Sequence, residues 1–459
     1  MNNAIPFLLA TLSLPILGAG AAFHPSIRNA SRPARAAAAL AFGAVGLTLG
    51  GMLLTAAGFR WTLAAIAAVP LAVSLAAGLF WRRRPATPFP PAAAGLGARR
   101  TLFVIAAASL ALLGWALLAG AATSVDYLFF WGVKSARFAA VRGVDVELLR
   151  WPFFAHAVVD YPPLVPIVQA FGALPADRFP WRTVPLTSLL WVAAAAPLLR
   201  AFLRRRLDGD SASAVTAFWI AAMAASVATS LSGANAEAPL LFFESIALAA
   251  LLTEDADTSR FLPALMLAGA VLTKVEGSVA AILIVLGVVL RDLLERRPRL
   301  WRRALALTLS PAAALSAWFL FQWHFGLRPG FRGHGGLLAL HADHLGTVLT
   351  RLPLALEAGT YGVSWILPLV LLIAARPRVR PLLPALALGA GLLAFLVFDY
   401  LHDREDPAIR IQWTAPRVSQ PALSALILAS GLASVGAERR RRHSTASATA
   451  SVAPLTPAP

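Results

Sequence analysis

Nine side chains in this 459-residue chain have the type and placement to do chemistry: Asp126, Lys134, His156, Asp160, Tyr161, Glu237, Lys274, Glu276 and Arg417. Asp126 opens the aromatic run Asp126-Tyr-Leu-Phe-Phe-Trp131. A carboxylate so placed can take a proton from an acceptor hydroxyl. It serves equally well as a helix N-terminal cap. Lys134 and Lys274 are the only two lysines in a chain that otherwise uses arginine. As compact ammonium point charges they suit the oxygens of a phosphate group. Glu276 stands two residues from Lys274, so an ion pair between them explains it as readily as catalysis.

The elements that must position these groups are membrane spans. The chain is 58% hydrophobic and 14% charged, with mean hydropathy +0.71. That balance does not fit a soluble chain of this length. Apolar runs near 4–22, 36–58, 61–81, 101–123, 183–203, 213–231, 238–253, 304–325, 361–375, 382–400 and 417–435 approach the length of a bilayer crossing. Residues 261–273 and 278–290 read as two short helices meeting at Lys274. The expected fold is an all-α polytopic bundle of about thirteen spans. The net charge of +18 comes from arginine clusters between spans. Topology explains them through the positive-inside rule, so nucleic acid is not an expected partner. The chain has no cysteine, which leaves disulfides and thiolate metal sites out of account.

If the basic loops are cytoplasmic, the N-terminus lies outside, the C-terminus inside, and the loop 124–182 faces the exterior of a bacterial inner membrane. An amphipathic helix, Tyr127 to Val141, is expected in that loop, lying in the membrane interface with Phe129, Phe130 and Trp131 at the acyl boundary. Further outer loops are expected at 326–360 and 401–416. The acidic stretch Glu254 to Asp257 is the one departure from basic inner loops. The tail over 437–459 reads as basic and disordered. In this topology all nine candidate residues fall on the outer side. Ionisable groups at membrane depth are costly and mark function by default.

Four stretches, in this order, carry a resemblance. They are Asp126…Trp131…Lys134 with His156-x-x-x-Asp160-Tyr-Pro-Pro-Leu-Val-Pro166, Gly233-Ala-Asn-Ala-Glu237-Ala-Pro239, Thr273-Lys-Val-Glu-Gly277, and Gln412-Trp-Thr-Ala-Pro-Arg417. Together they resemble the GT-C superfamily of membrane glycosyltransferases, the bacterial enzymes related to protein O-mannosyltransferases and lipid A sugar transferases (glycosyltransferase family 39-like). The second stretch carries Glu237 where that family has Asp.

The resemblance implies transfer of a sugar from a polyprenyl-phosphate donor to a glycan, lipid or protein hydroxyl, with inversion, at the periplasmic face. Asp126 would be the base. Lys134, Lys274 and Arg417 would hold the donor phosphate. His156, Asp160, Tyr161, Glu237 and Glu276 would contact substrate, and if a divalent cation (Mg or Mn) is bound, Asp126, Asp160 and Glu237 would supply its oxygen ligands. The resemblance covers residues 101–436, which would form the catalytic membrane module, and leaves 1–100 as extra N-terminal spans. Two alternatives stand beside this reading: a transporter or flippase of lipid-linked sugars, and a lipid-linked glycan polymerase or ligase.

Overall fold

The computed structural model describes residues 3–86, 96–120, 124–151, 153–154, 161–229, 235–254, 260–327, 340–360, 363–402 and 406–450. Among them every regular element is helical and no strand occurs. The N-terminal helices are α1 (Ala4–Leu12), α2 (Leu14–Leu17), α3 (Arg32–Ala56), α4 (Leu63–Arg82) and α5 (Leu96–Gly120). The amphipathic region carries α6 (Gly132–Val141), α7 (Val146–Arg150) and α8 (Leu164–Ala173). The central helices are α9 (Leu186–Leu203), α10 (Gly209–Thr229), α11 (Glu237–Thr253), α12 (Phe261–Thr273) and α13 (Val275–Leu294). The chain closes with α14 (Leu300–His324), α15 (Leu345–Thr360), α16 (Val363–Ala375), α17 (Leu383–Leu401), α18 (Pro407–Val418) and α19 (Gln420–Ala450).

Among the described residues eight helices are long and apolar enough to cross a membrane, or nine if α18 and α19 form one bent span. This is a polytopic membrane bundle with fewer full-length spans than the expected thirteen. The difference lies in short elements. The run 4–22 is broken into α1, α2 and a 3-10 turn over Ala19–Phe23. At 13 residues, α12 rises only about 20 Å against a hydrocarbon core of about 30 Å. Two stretches expected to be outer loops also carry helices. Residues 345–360 of the first form α15, and residues 407–416 of the second belong to α18. Residues 328–339 and 403–405 lie outside the described set. The tail differs too: α19 continues to Ala450, because its Ala- and Arg-rich sequence propagates a helix already begun in the apolar part.

The helices sort by what they touch. In α4, α5 and α14 only 22%, 11% and 28% of the apolar window is buried, against 78% in α3. Their exposed Leu79, Phe103, Leu112, Trp115 and Leu309 form apolar surface that suits lipid and not water. At the centre every residue of α11 is buried. Helix α12 runs back antiparallel to α11, and α13 returns beside both. Lys274, extended at φ −159° and ψ 157°, breaks the helix between α12 and α13, as the short apolar runs on either side of it lead one to expect.

These three helices carry a charged cluster at each end. One holds Glu237, Lys274 and Glu276. The other holds Glu254, Arg260, Arg291 and Asp292. The 17 residues of α11 separate them by about 25 Å. That distance is close to the thickness of a hydrocarbon core. The acidic residue that broke the basic pattern of the inner loops is thereby explained. Glu254 Oε1 accepts hydrogen bonds from Arg260 at 2.6 Å, Arg291 at 2.7 Å and Arg303 at 3.2 Å. Asp292 does the same for Arg260 and Arg303, both at 2.9 Å. Arg297 closes a Schellman turn at the end of α13 by donating its N–H to the Asp292 carbonyl at 2.8 Å, with Arg296 in the left-handed region at φ 50°.

Asp208 fixes where α10 begins. Its carboxylate accepts the backbone N–H of Ser211 at 2.9 Å, the Ser211 hydroxyl at 2.7 Å and the N–H of Asp210 at 3.1 Å. The Ser211 backbone and hydroxyl bonds hold this carboxyl below its ordinary range. A depressed carboxylate stabilises the fold above its unfolded pKa, and that contribution is lost as pH falls through the folded value. Asp208→Ala is expected to lower stability by about 1 kcal/mol near neutral pH. The gap to wild type should close in acid, which thermal unfolding across a pH series would measure. A gap that stays constant to the acid end would contradict the cap.

Candidate functional site

The site is built where the amphipathic region meets the ends of α11, α12 and α18. Asp126 lies in helical backbone, with φ −60° and ψ −38°, and makes no side-chain cap. Ser124 takes that role, its hydroxyl accepting the Tyr127 N–H at 3.4 Å. The Asp126 carboxylate is instead paired with the Arg417 guanidinium of α18, 291 positions along the chain. Of the two readings of Asp126 in the sequence, the cap is not the one the fold adopts. A π-helical turn, Tyr127–Trp131, follows directly, a local widening of the helix that recurs at functional sites.

Lys274 is the hub of the inner wall. Its ammonium lies 3.3 Å from Glu237 Oε1 and 2.9 Å from Glu276 Oε1. The pairing of Glu276 with Lys274 is therefore realised. The Lys274 ammonium also stands 5.9 Å from the centre of the Tyr161 ring. Tyr161 in turn packs on Trp131 at 5.9 Å between ring centres, and the Lys134 ammonium lies 5.1 Å from the Trp131 ring. The two lysines thus flank one aromatic pair, each within cation–π reach. Lys134 is 2% exposed and is not among the residues that line the central cavity. Trp131 is buried in this stack and does not lie at the acyl boundary as the amphipathic pattern led one to expect, whereas Phe129 is exposed. Tyr127 has a structural part. Its hydroxyl donates to the Trp181 carbonyl at 2.7 Å, and burial pushes the phenol up from its ordinary range.

Between these groups lies a small cavity lined by Glu237, Glu244, Lys274, Glu276, Arg417 and Gln420, with Leu240, Leu241, Leu392, Val418 and Pro421. Its volume of about 10 Å³ is room for roughly one water. Several buried atoms around it have no hydrogen-bond partner among the described residues. They are Glu237 Oε2, both carboxylate oxygens of Glu244, Glu276 Oε2, and both amide atoms of Gln420. Buried polar atoms are almost always satisfied, so such a concentration marks a place built to receive a polar occupant. Asn235, 3% exposed, adds two more unpartnered amide atoms just before α11.

Glu244, Gln420 and Asn235 were not singled out as candidates from the sequence. A signal for Glu244 existed: it lies seven residues after Glu237, on the same helix face, inside an apolar run where an acid is expensive. Gln420 carried no such signal, because only the bend after Val418 turns it inward. Helices α18 and α19 meet there at 43°. His156 and Asp160 lie outside the described residues. The described residues contain no group of three metal-ligating side chains. Asp126 and Glu237, which with Asp160 would be the oxygen ligands if a cation is bound, are each engaged by a basic side chain, Arg417 and Lys274.

The arrangement therefore combines a carboxylate paired with Arg417, a lysine held between two carboxylates, and a floor of buried polar atoms without partners among the described residues. No family model, curated protein or solved structure matches this chain.

Proposed function

We propose that this chain is an integral-membrane glycosyltransferase that moves a sugar from a polyprenyl-phosphate donor to a hydroxyl of a glycan, lipid or protein at the periplasmic face. The observation that carries this reading is the pairing of Asp126 with Arg417 beside the Lys274 cluster. One group can accept a proton, and the others can accept a phosphate leaving group, within one site. Asp126 takes the proton of the acceptor hydroxyl. The acceptor oxygen bonds to the anomeric carbon from the face opposite the phosphate. The bond from that carbon to the phosphate oxygen breaks, and the phosphate leaves with the electron pair. Arg417 and Lys274 stabilise the charge that grows on it, and Lys134 adds positive potential from behind Trp131.

Arg417, the partner of Asp126, is also the cation for which the donor phosphate competes, and that competition releases the carboxylate. Asp126 and Glu237 remain candidates, with Asp160, for a divalent cation in the loaded enzyme. The experiment that tests the function is comparison of lipid-linked glycans and envelope polysaccharides from cells with and without the protein. Loss of one sugar from an envelope glycan, with its polyprenyl-phosphate form accumulating, is expected. An unchanged profile in both pools would refute transfer.

A second reading draws on Glu244. This acid lies about 10 Å below Glu237 along α11, and the charged cluster at the far end lies beyond it. Polar groups are thus present at more than one depth, as a transporter or flippase of lipid-linked sugars requires. Appearance of the intact lipid-linked sugar on the opposite leaflet, without glycosidic bond formation, would favour this reading. A polymerase or ligase would instead join whole lipid-linked chains.

A further inference from the structure

At the end of the bundle opposite the candidate site lies a cavity of about 360 Å³. Its polar wall is Arg206, Arg291, Arg297, Arg378, Glu254 and Glu295. Behind it stand Arg260, Arg303 and Asp292, bonded into the same network. Six arginines thus face three carboxylates among the described residues. The carboxylates are already shared: Glu254 Oε1 alone serves three guanidinium groups. Two observations show that the network is short of acceptors. Arg297 Nη1 is buried, 4.0 Å from Glu254 Oε1, and without a hydrogen-bond partner. Arg260 is 5% exposed, yet its Nε and Nη1 also have none. The excess of arginines over carboxylates around the cavity and the buried N–H donors left without partners both call for an anion with several oxygens.

The remaining wall says which anion. Leu252, Leu382 and Leu432 line the same cavity, with Pro377 and Pro381 at its rim. Free phosphate gains nothing from apolar contact. A phosphodiester that carries acyl chains gains from both walls at once. The position agrees, since the cavity opens where α9, α11 and α13 end, about one hydrocarbon thickness from the opposite charged cluster. Basic pockets between helix ends at this level hold anionic lipid headgroups.

We propose that this cavity is a binding site for the phosphate headgroup of an anionic phospholipid from the adjoining leaflet. Arg297 and Arg378 supply free donors at its mouth, and Arg291 forms its fixed floor. The site is separate from the sugar-transfer centre and does not depend on that assignment.

The test uses the full chain in lipid nanodiscs of phosphatidylcholine, with phosphatidylglycerol added in steps, and reads both thermal unfolding and the lipid retained by native mass spectrometry. Phosphatidylglycerol should raise the unfolding temperature and remain bound at one per chain. In Arg378→Gln and Arg297→Gln the affinity should fall about five-fold for each arginine removed. Arg378 is exposed and outside the ion-pair network, so its variant keeps the fold and isolates the effect on binding. Inorganic phosphate is the competing arm. If phosphate alone stabilises the protein as strongly and phosphatidylglycerol adds nothing, the lipid assignment is wrong. Equal lipid retention by wild type and both variants overturns the site.

Discussion

Asp126→Asn is expected to insert and purify as the wild type does, yet to transfer sugar from a polyprenyl-phosphate donor about 10²–10⁴-fold more slowly, the usual contribution of a general base. The amide keeps the shape of the carboxylate and can still accept a hydrogen bond from Arg417. What it loses is the ability to take a proton. The loss should therefore fall on turnover and leave donor binding nearly unchanged. Two companion variants separate the roles within the pair. Arg417→Lys keeps a point charge near the phosphate but loses the fork that spans two oxygens, so it should weaken donor binding and retain part of the turnover. Arg417→Met removes the stabilising charge and should lose both. Full turnover in Asp126→Asn, measured in membranes with a defined lipid-linked sugar, would remove Asp126 from the role of base.

The second large effect is on stability and lies at the far end of the bundle. Glu254 is 3% exposed and joins α11 to α12, α13 and α14 through Arg260, Arg291 and Arg303. Glu254→Gln leaves three guanidinium groups facing a neutral amide. Breaking a buried pair by removing one partner costs about 3–5 kcal/mol, because the other charge remains buried. A large drop in the unfolding temperature of the purified protein is the expected readout. Combining it with Arg291→Met should recover part of the loss, since one of the three guanidinium groups left facing the amide is then removed as well. Additive losses in the double variant would show that Glu254 and Arg291 do not act as a pair. The same experiment separates this cluster from the proposed catalytic one. Glu254→Gln should lower stability without slowing transfer per folded molecule, whereas Asp126→Asn should slow transfer without lowering stability.

The membrane character of this chain was legible because it is a one-dimensional property. Runs of Leu, Ala and Val either reach bilayer length or do not. The break at Lys274 was legible for the same reason, since neither flanking run is long enough to hide a charge. The amphipathic stretch after Asp126 was legible from its mixture of aromatic and charged residues. The count of crossings was not. Apolar composition does not tell a 13-residue buried helix such as α12 from half of a span, and protein on all sides satisfies a short helix as lipid satisfies a long one. The loops around 345–360 and 407–416 were read as irregular because their helices bury only one face. They pack through Val348, Tyr400, Ile411 and Ala415, which form a cluster of their own.

Residue by residue, the sequence by itself determined that Asp126, Lys134, Glu237, Lys274, Glu276 and Arg417 needed a reason to sit among apolar spans, because charge at that depth is expensive wherever it occurs. Only the tertiary structure decided who answers whom. It gave the cap to Ser124 and Asp126 to Arg417. It placed Lys134 and Lys274 on either side of Trp131 and Tyr161, and it brought Glu244 and Gln420 to one cavity. It turned the misplaced acid Glu254 into the centre of an arginine network. The physical reason is range. Hydropathy is a sum over neighbours in the chain, whereas ion pairing acts over a few ångströms in space, and Asp126 and Arg417 lie 291 residues apart until the helices pack.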